Sequence, residues 1–416
     1  MSILRAFKGL RPKKEFVSKV ASLPYDVMNS EEARKMAKGN PLSFLHVIKP
    51  EIDLDPGIDL YDDRVYSKAR ENFLRLQADE ILIQDEKPCL YIYEQQMEDH
   101  IQRGILACAS VDDYQNNIIK KHELTRKAKE DDRTRHVKEL NANAGPVFLT
   151  YKAHNEIDAI LEDFTTANKP EYDFNAEDGI RHTLWVISNE SIIRRISSIF
   201  KNEIPYLYVA DGHHRSASAA RVGLEKRKEF PGYTGEEEFN FFLAVFFPHN
   251  QLKTLDYNRV VIDLNNNTKE SFLEKVANSF EIIPYDGQGA YSPEAPHYFG
   301  LYIEGKWYRL KAMDKLIKKD DPVASLDVSI LQNNILTPIL GIGDLRIDER
   351  IDFIGGIRGL SELERLVDSG KYKLAFSMYP TKIEEIMAIA DKNLLMPPKS
   401  TWFEPKLRSG LVIHML

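Results

Sequence analysis

Apolar positions recur along the chain with two periods. From Tyr66 to Asp79, Ala69, Phe73, Leu74 and Leu76 fall at helical spacing while Arg70, Glu71 and Arg75 are left for solvent, which predicts an amphipathic helix. Upstream, Ser30 as N-cap with Glu31 and Glu32 behind it predicts a helix to about Lys38, broken by Gly39-Asn40-Pro41. Ser43-Phe44-Leu45-His46-Val47-Ile48 reads as a strand ending at Lys49-Pro50. Further strands are predicted at Cys89 to Tyr93, Gly104 to Val111, Val147 to Tyr151 and Thr183 to Ile187, with a charged helix after Lys121. Pro205 to Ala210 is a short buried strand by its aromatic and β-branched content, and Ser216 to Ala220 is a small-residue helix start. Phe239 to Phe247 is predicted as a core strand stopped by Pro248, and Tyr298 to Leu310 as a hairpin around Glu304-Gly305-Lys306. A helix from about Lys382 to Ala390 follows the cap Thr381, and Met396-Pro397-Pro398-Lys399-Ser400-Thr401-Trp402 is a proline-stiffened segment.

Helices and strands interspersed in this way predict an α+β protein. Three α+β regions are expected, 1–110, 111–235 and 236–416, the last contributing the segment 396–406. A length of 416 residues with 43% hydrophobic content allows two or three packed cores. No apolar run reaches the roughly 20 residues that span a bilayer, and Met1 to Lys8 lacks the apolar core of a secretory signal, so a cytoplasmic protein without membrane contact is expected. Cys89 and Cys108 are too sparse to suggest a disulfide framework and read as buried thiols. A net charge of −8 argues against nucleic acid as a partner, because that affinity rests on surplus Lys and Arg. The basic stretch Lys120 to Lys138 is interleaved with Glu123, Glu130, Asp131 and Asp132 and reads as a solvated helix face.

The chemistry concentrates at Asp211-Gly212-His213-His214-Arg215-Ser216, set between the predicted strand and helix. Gly212 permits a backbone shape that other residues resist, and the helix start offers unpaired N–H groups, so the turn is an anion site before any side chain is counted. Arg215 can fork two phosphate oxygens, His213 or His214 can add a donor, and Asp211 can orient a histidine or share Mg²⁺ with phosphates. A zinc site at His213-His214 is disfavoured, since adjacent side chains diverge and no further ligand stands at the usual spacing. A second constellation, Lys120-Lys121-His122-Glu123-Leu124-Thr125-Arg126, runs from a strand end into a helix. There Glu123 is a general base in a cleft or an ordinary solvated carboxylate, and its pattern leaves both open. The Lys399-Ser400-Thr401 stretch is equally open between a stiff surface loop and a binding segment.

Val209-Ala210-Asp211-Gly212-His213-His214-Arg215 resembles the signature of the ParB-like, sulfiredoxin-fold free serine kinases. His122-Glu123 resembles their His-Glu element. Tyr379-Pro380-Thr381-Lys382 followed by Pro397-Pro398-Lys399-Ser400-Thr401 is similar to their C-terminal segments, in the same order. Over its whole length the chain also resembles a large bacterial and archaeal family marked by Leu23-Pro24-Tyr25-Asp26-Val27, Lys120 to Arg126, the Asp211 turn and Lys399-Ser400-Thr401-Trp402-Phe403-Glu404-Pro405-Lys406. The resemblance implies a ParB/sulfiredoxin-like catalytic core over 111–235 and transfer of a phosphoryl group from ATP or ADP, with Mg²⁺, to free L-serine. It implies Glu123 as general base, with Asp211 and His213 as catalytic partners. Gly212, His214, Arg215, Ser216, Lys121 and Arg126 would hold nucleotide phosphates, Asp211 would share Mg²⁺, and Lys399, Ser400 and Thr401 would bind the amino acid. The donor (pyrophosphate is another candidate) and the oligomeric state are left open. The alternative implied by ParB is a CTP-type nucleotide-binding switch without turnover, which would not need His122-Glu123. A DNA-binding or nuclease role conflicts with the acidic balance.

Overall fold

The computed structural model describes residues 1–416 and is a mixed α+β structure. The chain forms two compact units, Met1–Leu252 with Pro405–Leu416, and Lys253–Glu404.

The first unit is built on a nine-stranded sheet. In spatial order its strands are Ile119–Lys120, Leu207–Asp211, Val147–Tyr151, Phe241–Pro248, His100–Ser110, Leu90–Met97, Arg181–Ile187 and Tyr172–Asn175, with Leu4–Arg5 paired onto His100–Ser110. The sheet thus draws strands from both sides of position 110 and takes its Phe241–Pro248 strand from beyond position 235. All eight residues of Phe241–Pro248 are buried, because this strand is central and covered on both faces. That explains an unbroken apolar run in place of alternation. On one face Leu149, Val209, Phe242 and Ile105 meet Ile157, Leu161, Ile196 and Phe200 of the helices Asn155–Ala167 and Glu190–Glu203. A second cluster joins Val20, Phe44, Phe73 and Leu76 to Leu140, Ala144 and Ile413.

The second unit holds a six-stranded antiparallel sheet, with helices Lys269–Val276, Ser361–Asp368 and Ile383–Asp391. Its hairpin turns at Glu304 (φ 48°) and Gly305 (φ 72°), the left-handed pair that a two-residue connection requires. Its two ends pair with each other, Lys253 opposite Glu404 and Leu255 opposite Trp402.

Most predicted elements are present, with instructive differences. Ser43 to Ile48 is not a strand: Leu45–Ile48 is a single helical turn, with the Ser43 hydroxyl accepting from Leu45 N–H at 3.3 Å and Leu45, Val47 and Ile48 all buried. Packing on the Phe44 and Phe73 cluster overrides the β-branched content. The cap of helix Ser30–Ala37 is Asn29, in a reciprocal box with Glu32, while the Ser30 hydroxyl donates to Glu51 at 2.7 Å. The helix Ile383–Asp391 is capped at Lys382, because the Thr381 hydroxyl is bonded to the Ser400 carbonyl at 2.8 Å. Helix Lys127–Leu140 is not a wholly solvated face. Asp132, Thr134 and His136 are buried, and Asp132 accepts from the Tyr66 hydroxyl at 2.8 Å. Cys89 and Cys108 are free buried thiols, as expected. No helix is long and apolar enough to cross a membrane.

Candidate functional site

Two adjacent strands of the first unit run parallel, Leu207 opposite Ile119 and Tyr208 opposite Lys120. Both therefore deliver the residues after them to the same end of the sheet. From one strand emerges His122-Glu123; from the other, Asp211-Gly212-His213. The helix His213–Glu229 starts directly at the turn, with Gly212 as its N-cap at φ +97°. A Cβ at Gly212 would stand 3.1 Å from Arg215 Nε and 3.3 Å from Nη2, so the glycine provides both the left-handed conformation and room for the guanidinium.

The two loops are tied at several points. The rings of His122 and His213 stand edge to face with centroids 4.4 Å apart. The backbone N–H of Arg126 donates to His214 Nε2 at 3.0 Å. Glu123, half-buried, is thus bracketed by two residues that touch His213 and His214. Nε2 of His213 is buried with no hydrogen-bond partner, and the ring nitrogens of His122 are buried with only a weak backbone interaction at Val209. Such groups cost about 1–3 kcal/mol each, and their clustering marks a place suited to a polar ligand. Burial pulls the His122 pKa down to about 4. Burial, reinforced by His122, holds His213 well below the ordinary range. Both are neutral at pH 7, donors or acceptors by tautomer rather than cations.

Asp211 lies between two cations. Lys406 Nζ is 3.0 Å from its Oδ2 and Arg215 Nη2 is 3.7 Å from its Oδ1. Burial pushes the Asp211 carboxyl up, but Lys406, Arg215 and His213 together hold it well below the usual carboxylate range. Arg215 is mostly inward-facing: it donates to the Pro146 carbonyl and approaches Asp26 at 3.9 Å. Its pKa is opposed by burial yet raised by Asp26 and Asp211. Behind it lies a cavity of about 40 Å³ bordered by Tyr25, Arg133, His136, Ser218 and Ser409, with the Arg133 guanidinium 4.2 Å over the Tyr25 ring.

The other sequence candidates are distributed as follows. The Ser216 hydroxyl is buried and donates to the His213 carbonyl at 3.0 Å, bracing the first helical turn. Lys121 donates to the Tyr114 carbonyl at 3.0 Å and stands over that ring, and burial lowers its pKa. Lys399, Ser400 and Thr401 belong to the second unit, where Arg259 Nη2 donates to the Lys399 carbonyl at 3.0 Å and the Ser400 hydroxyl donates to the Pro397 carbonyl at 2.6 Å. For Mg²⁺, no group of three or more His, Cys, Asp or Glu is arranged as a metal cage. Asp211 is the one carboxylate of the turn, and because its two oxygens face Lys406 and Arg215 it would hold Mg²⁺ only together with phosphates that bring further negative charge. Tyr25, Asp26 and Arg133 at Arg215, and Lys406 at Asp211, were not among the site residues read from sequence. The signals were there in Pro24-Tyr25-Asp26 and Pro405-Lys406, but nothing local tied them to a turn about 190 residues away.

The sequence matches, over residues 4–329, the family model described as "Protein of unknown function (DUF1015)", so the whole-chain resemblance expected from the motifs is borne out. No curated protein matches it. Among solved structures, "Free serine kinase in complex with AMP" is similar at 12% identity and a TM-score of 0.35, covering 72% of this chain and 86% of that chain. A conserved hypothetical protein from Pyrococcus furiosus is similar at 12% identity and a TM-score of 0.34, covering 74% and 93%. SbnI with a C-terminal truncation, from Staphylococcus aureus, is similar at 11% identity and a TM-score of 0.38, covering 72% and 82%. These are distant likenesses.

Proposed function

The chain belongs to the DUF1015 family, and from that premise we propose that it is a phosphotransferase that moves a phosphoryl group from a nucleotide, ATP or ADP, to the hydroxyl of free L-serine. The observation that carries the reading is the parallel strand pair that brings Glu123 and the Asp211 turn to one end of the sheet, bracketed by the His122–His213 and Arg126–His214 contacts. Serine as acceptor rests on the sequence resemblance to the free serine kinases.

In this reading Glu123 accepts the proton of the serine hydroxyl as its oxygen bonds to the terminal phosphorus and the bond to the nucleotide's leaving oxygen breaks. Helix N–H groups after Gly212, with the neutral His213 and His214, hold phosphate oxygens where negative charge is spread in the transition state, and Arg215, turned inward onto Pro146, Asp26 and Asp211, adds positive field from behind the turn. Asp211 would hold Mg²⁺ jointly with the phosphates, and that ion supplies charge neutralisation. Ser216 keeps the turn rigid, while Lys121 and Arg126 lend positive field from the neighbouring loop. Lys399, Ser400 and Thr401, which the sequence resemblance gives to the amino acid, belong to the second unit. Alignment and charge compensation are the main demands of phosphoryl transfer, and this residue set meets them. A CTP-type switch needs the same turn but no base beside it, and Glu123 in its bracket favours the enzyme.

Full-length protein with Mg²⁺ and ATP, ADP or pyrophosphate is incubated with L-serine and assayed for O-phosphoserine. Product is expected with at least one donor. A folded protein yielding none with any of them ends the kinase reading, and tight CTP binding without product turns it toward the switch.

A further inference from the structure

Pro405–Leu416 is part of the first unit, and Lys406 is the residue of this segment that reaches the Asp211 turn. A lysine beside an aspartate is by itself only an ion pair of small net value. The setting here is different. The Lys406 side chain is 11% exposed, and the residue's backbone carbonyl accepts from Gln95 Nε2 at 2.9 Å. Gln95 Oε1 in turn accepts from Gln102 Nε2 at 3.0 Å, and both amides are fully buried.

Two residues on, Arg408 donates from Nε to His182 Nε2 at 3.0 Å and from Nη2 to Asp178. An arginine only donates, so His182 Nε2 is the acceptor and its proton is on Nδ1, which donates to the Tyr93 hydroxyl oxygen at 2.8 Å. Arg408 and His182 are both buried. A buried cation, a neutral imidazole and two buried amides form an expensive way to hold a chain end that already buries Leu411, Val412 and Ile413. What they fix is the register of Lys406 against the central strands Leu90–Met97, His100–Ser110 and Arg181–Ile187. Its ammonium thereby faces the turn from which the helix His213–Glu229 starts, with Arg215 on the other side of Asp211.

We propose that Lys406 is the phosphate-anchoring cation of this site, and that Gln95, His182 and Arg408 are its positioning residues. The ligand class rests on the phosphotransfer reading above. An incoming phosphate or pyrophosphate group shares or replaces the Asp211 carboxylate as the partner of Lys406 Nζ, and no covalent step is involved.

Pyrophosphate and ADP are titrated calorimetrically into full-length wild type, Lys406→Gln, Lys406→Arg, His182→Gln and His182→Leu, with thermal melts as a folding check. Lys406→Gln is expected to weaken both ligands by roughly tenfold to a hundredfold, the worth of one charged hydrogen bond, and Lys406→Arg by less. His182→Gln, which keeps a donor and an acceptor, retains more affinity than His182→Leu. A folded Lys406→Gln protein that binds both ligands like wild type overturns the assignment. Reductive methylation of wild type, read residue by residue by mass spectrometry, needs no variant: saturating pyrophosphate should protect Lys406, and equal labelling with and without it also overturns the assignment. Wild type that binds neither ligand overturns this inference and the phosphotransfer reading together. Pyrophosphate binding that is lost in Lys406→Gln, from a protein that forms no phosphoserine, leaves Lys406 in place and removes only the serine acceptor.

Discussion

At the scale of single residues, Gly212 and the buried histidines set the terms of the site. With φ at +97° and Arg215 Nε 3.1 Å from where a Cβ would be, Gly212→Ala carries both backbone strain and a displaced guanidinium. We expect a loss of about 1–3 kcal/mol in urea unfolding together with weakened phosphate binding. Glu123→Gln keeps size and hydrogen bonding but not basicity, so turnover should vanish while nucleotide affinity holds. Affinity lost in parallel would make Glu123 a structural residue. Burial pulls His122 and His136 down to about 4, against roughly 6.5 in the unfolded chain. The unfolded chain takes up protons first, so the contribution of each is complete above about pH 6.5 and lost as pH falls toward 4. That corresponds to about 2 kcal/mol per histidine at pH 5. Urea unfolding at pH 7.5 and 5.0 should show the drop, and His136→Gln should flatten it; an unchanged slope would show that His136 does not titrate in this window.

At the scale of elements, the arrangement depends on pieces far apart in sequence sharing one sheet. The strand Leu207–Asp211 is held between Ile119–Lys120 and Val147–Tyr151, and its pairing with the latter shifts register between Val209 and Asp211. That irregularity comes just where the strand gives way to the catalytic candidates, a common place for a bulge. The segment Pro405–Leu416 contributes the strand His414–Met415, paired with Ala142–Asn143, and the bridges Ser22 to Ser409 and Leu10 to Ile413. Removing it exposes the partners of Leu411, Val412 and Ile413, each buried to within 1%. At about 1.5–3 kcal/mol per side chain this approaches the whole stability of a domain. Truncation after Glu404 is therefore expected to abolish cooperative thermal unfolding of the first unit, and a sharp native-like melt would show the segment to be dispensable.

At the scale of the whole molecule, the second unit is inserted between Leu252 and Pro405, and its ends close on each other through the Lys253 to Glu404 pairing. A unit whose ends are adjacent and which has its own cluster of Val260, Tyr302, Trp307 and Leu363 is equipped to fold alone. Residues 253–404 expressed separately should give a cooperative melt and a dispersed amide spectrum; a molten fragment would show that folding needs the rest of the chain. In the proposed function the Asp211 turn, Glu123 and Lys406, all in the first unit, serve the nucleotide, so Lys399→Ala in the second unit is expected to leave nucleotide affinity unchanged in calorimetric titration.

The sequence by itself determined the elements with a strong local signature: the amphipathic helix Asp63–Ala78, the hairpin at Glu304-Gly305 and the strand, turn and helix around Gly212. In each, period, cap and turn chemistry lie within a few residues and need no partner to be read. It also marked His122-Glu123 and the Asp211 turn as separate constellations. Their meeting was decided by tertiary structure, through parallel pairing of strands almost ninety positions apart. Tertiary packing likewise turned Leu45–Ile48 into a helical turn, took Thr381 away from its helix, and buried one side of Lys127–Leu140. Lys406 and Asp26 are the clearest case. A lysine and an aspartate have no local pattern that separates a site residue from a solvated one, because that difference lies in what surrounds the side chain after folding.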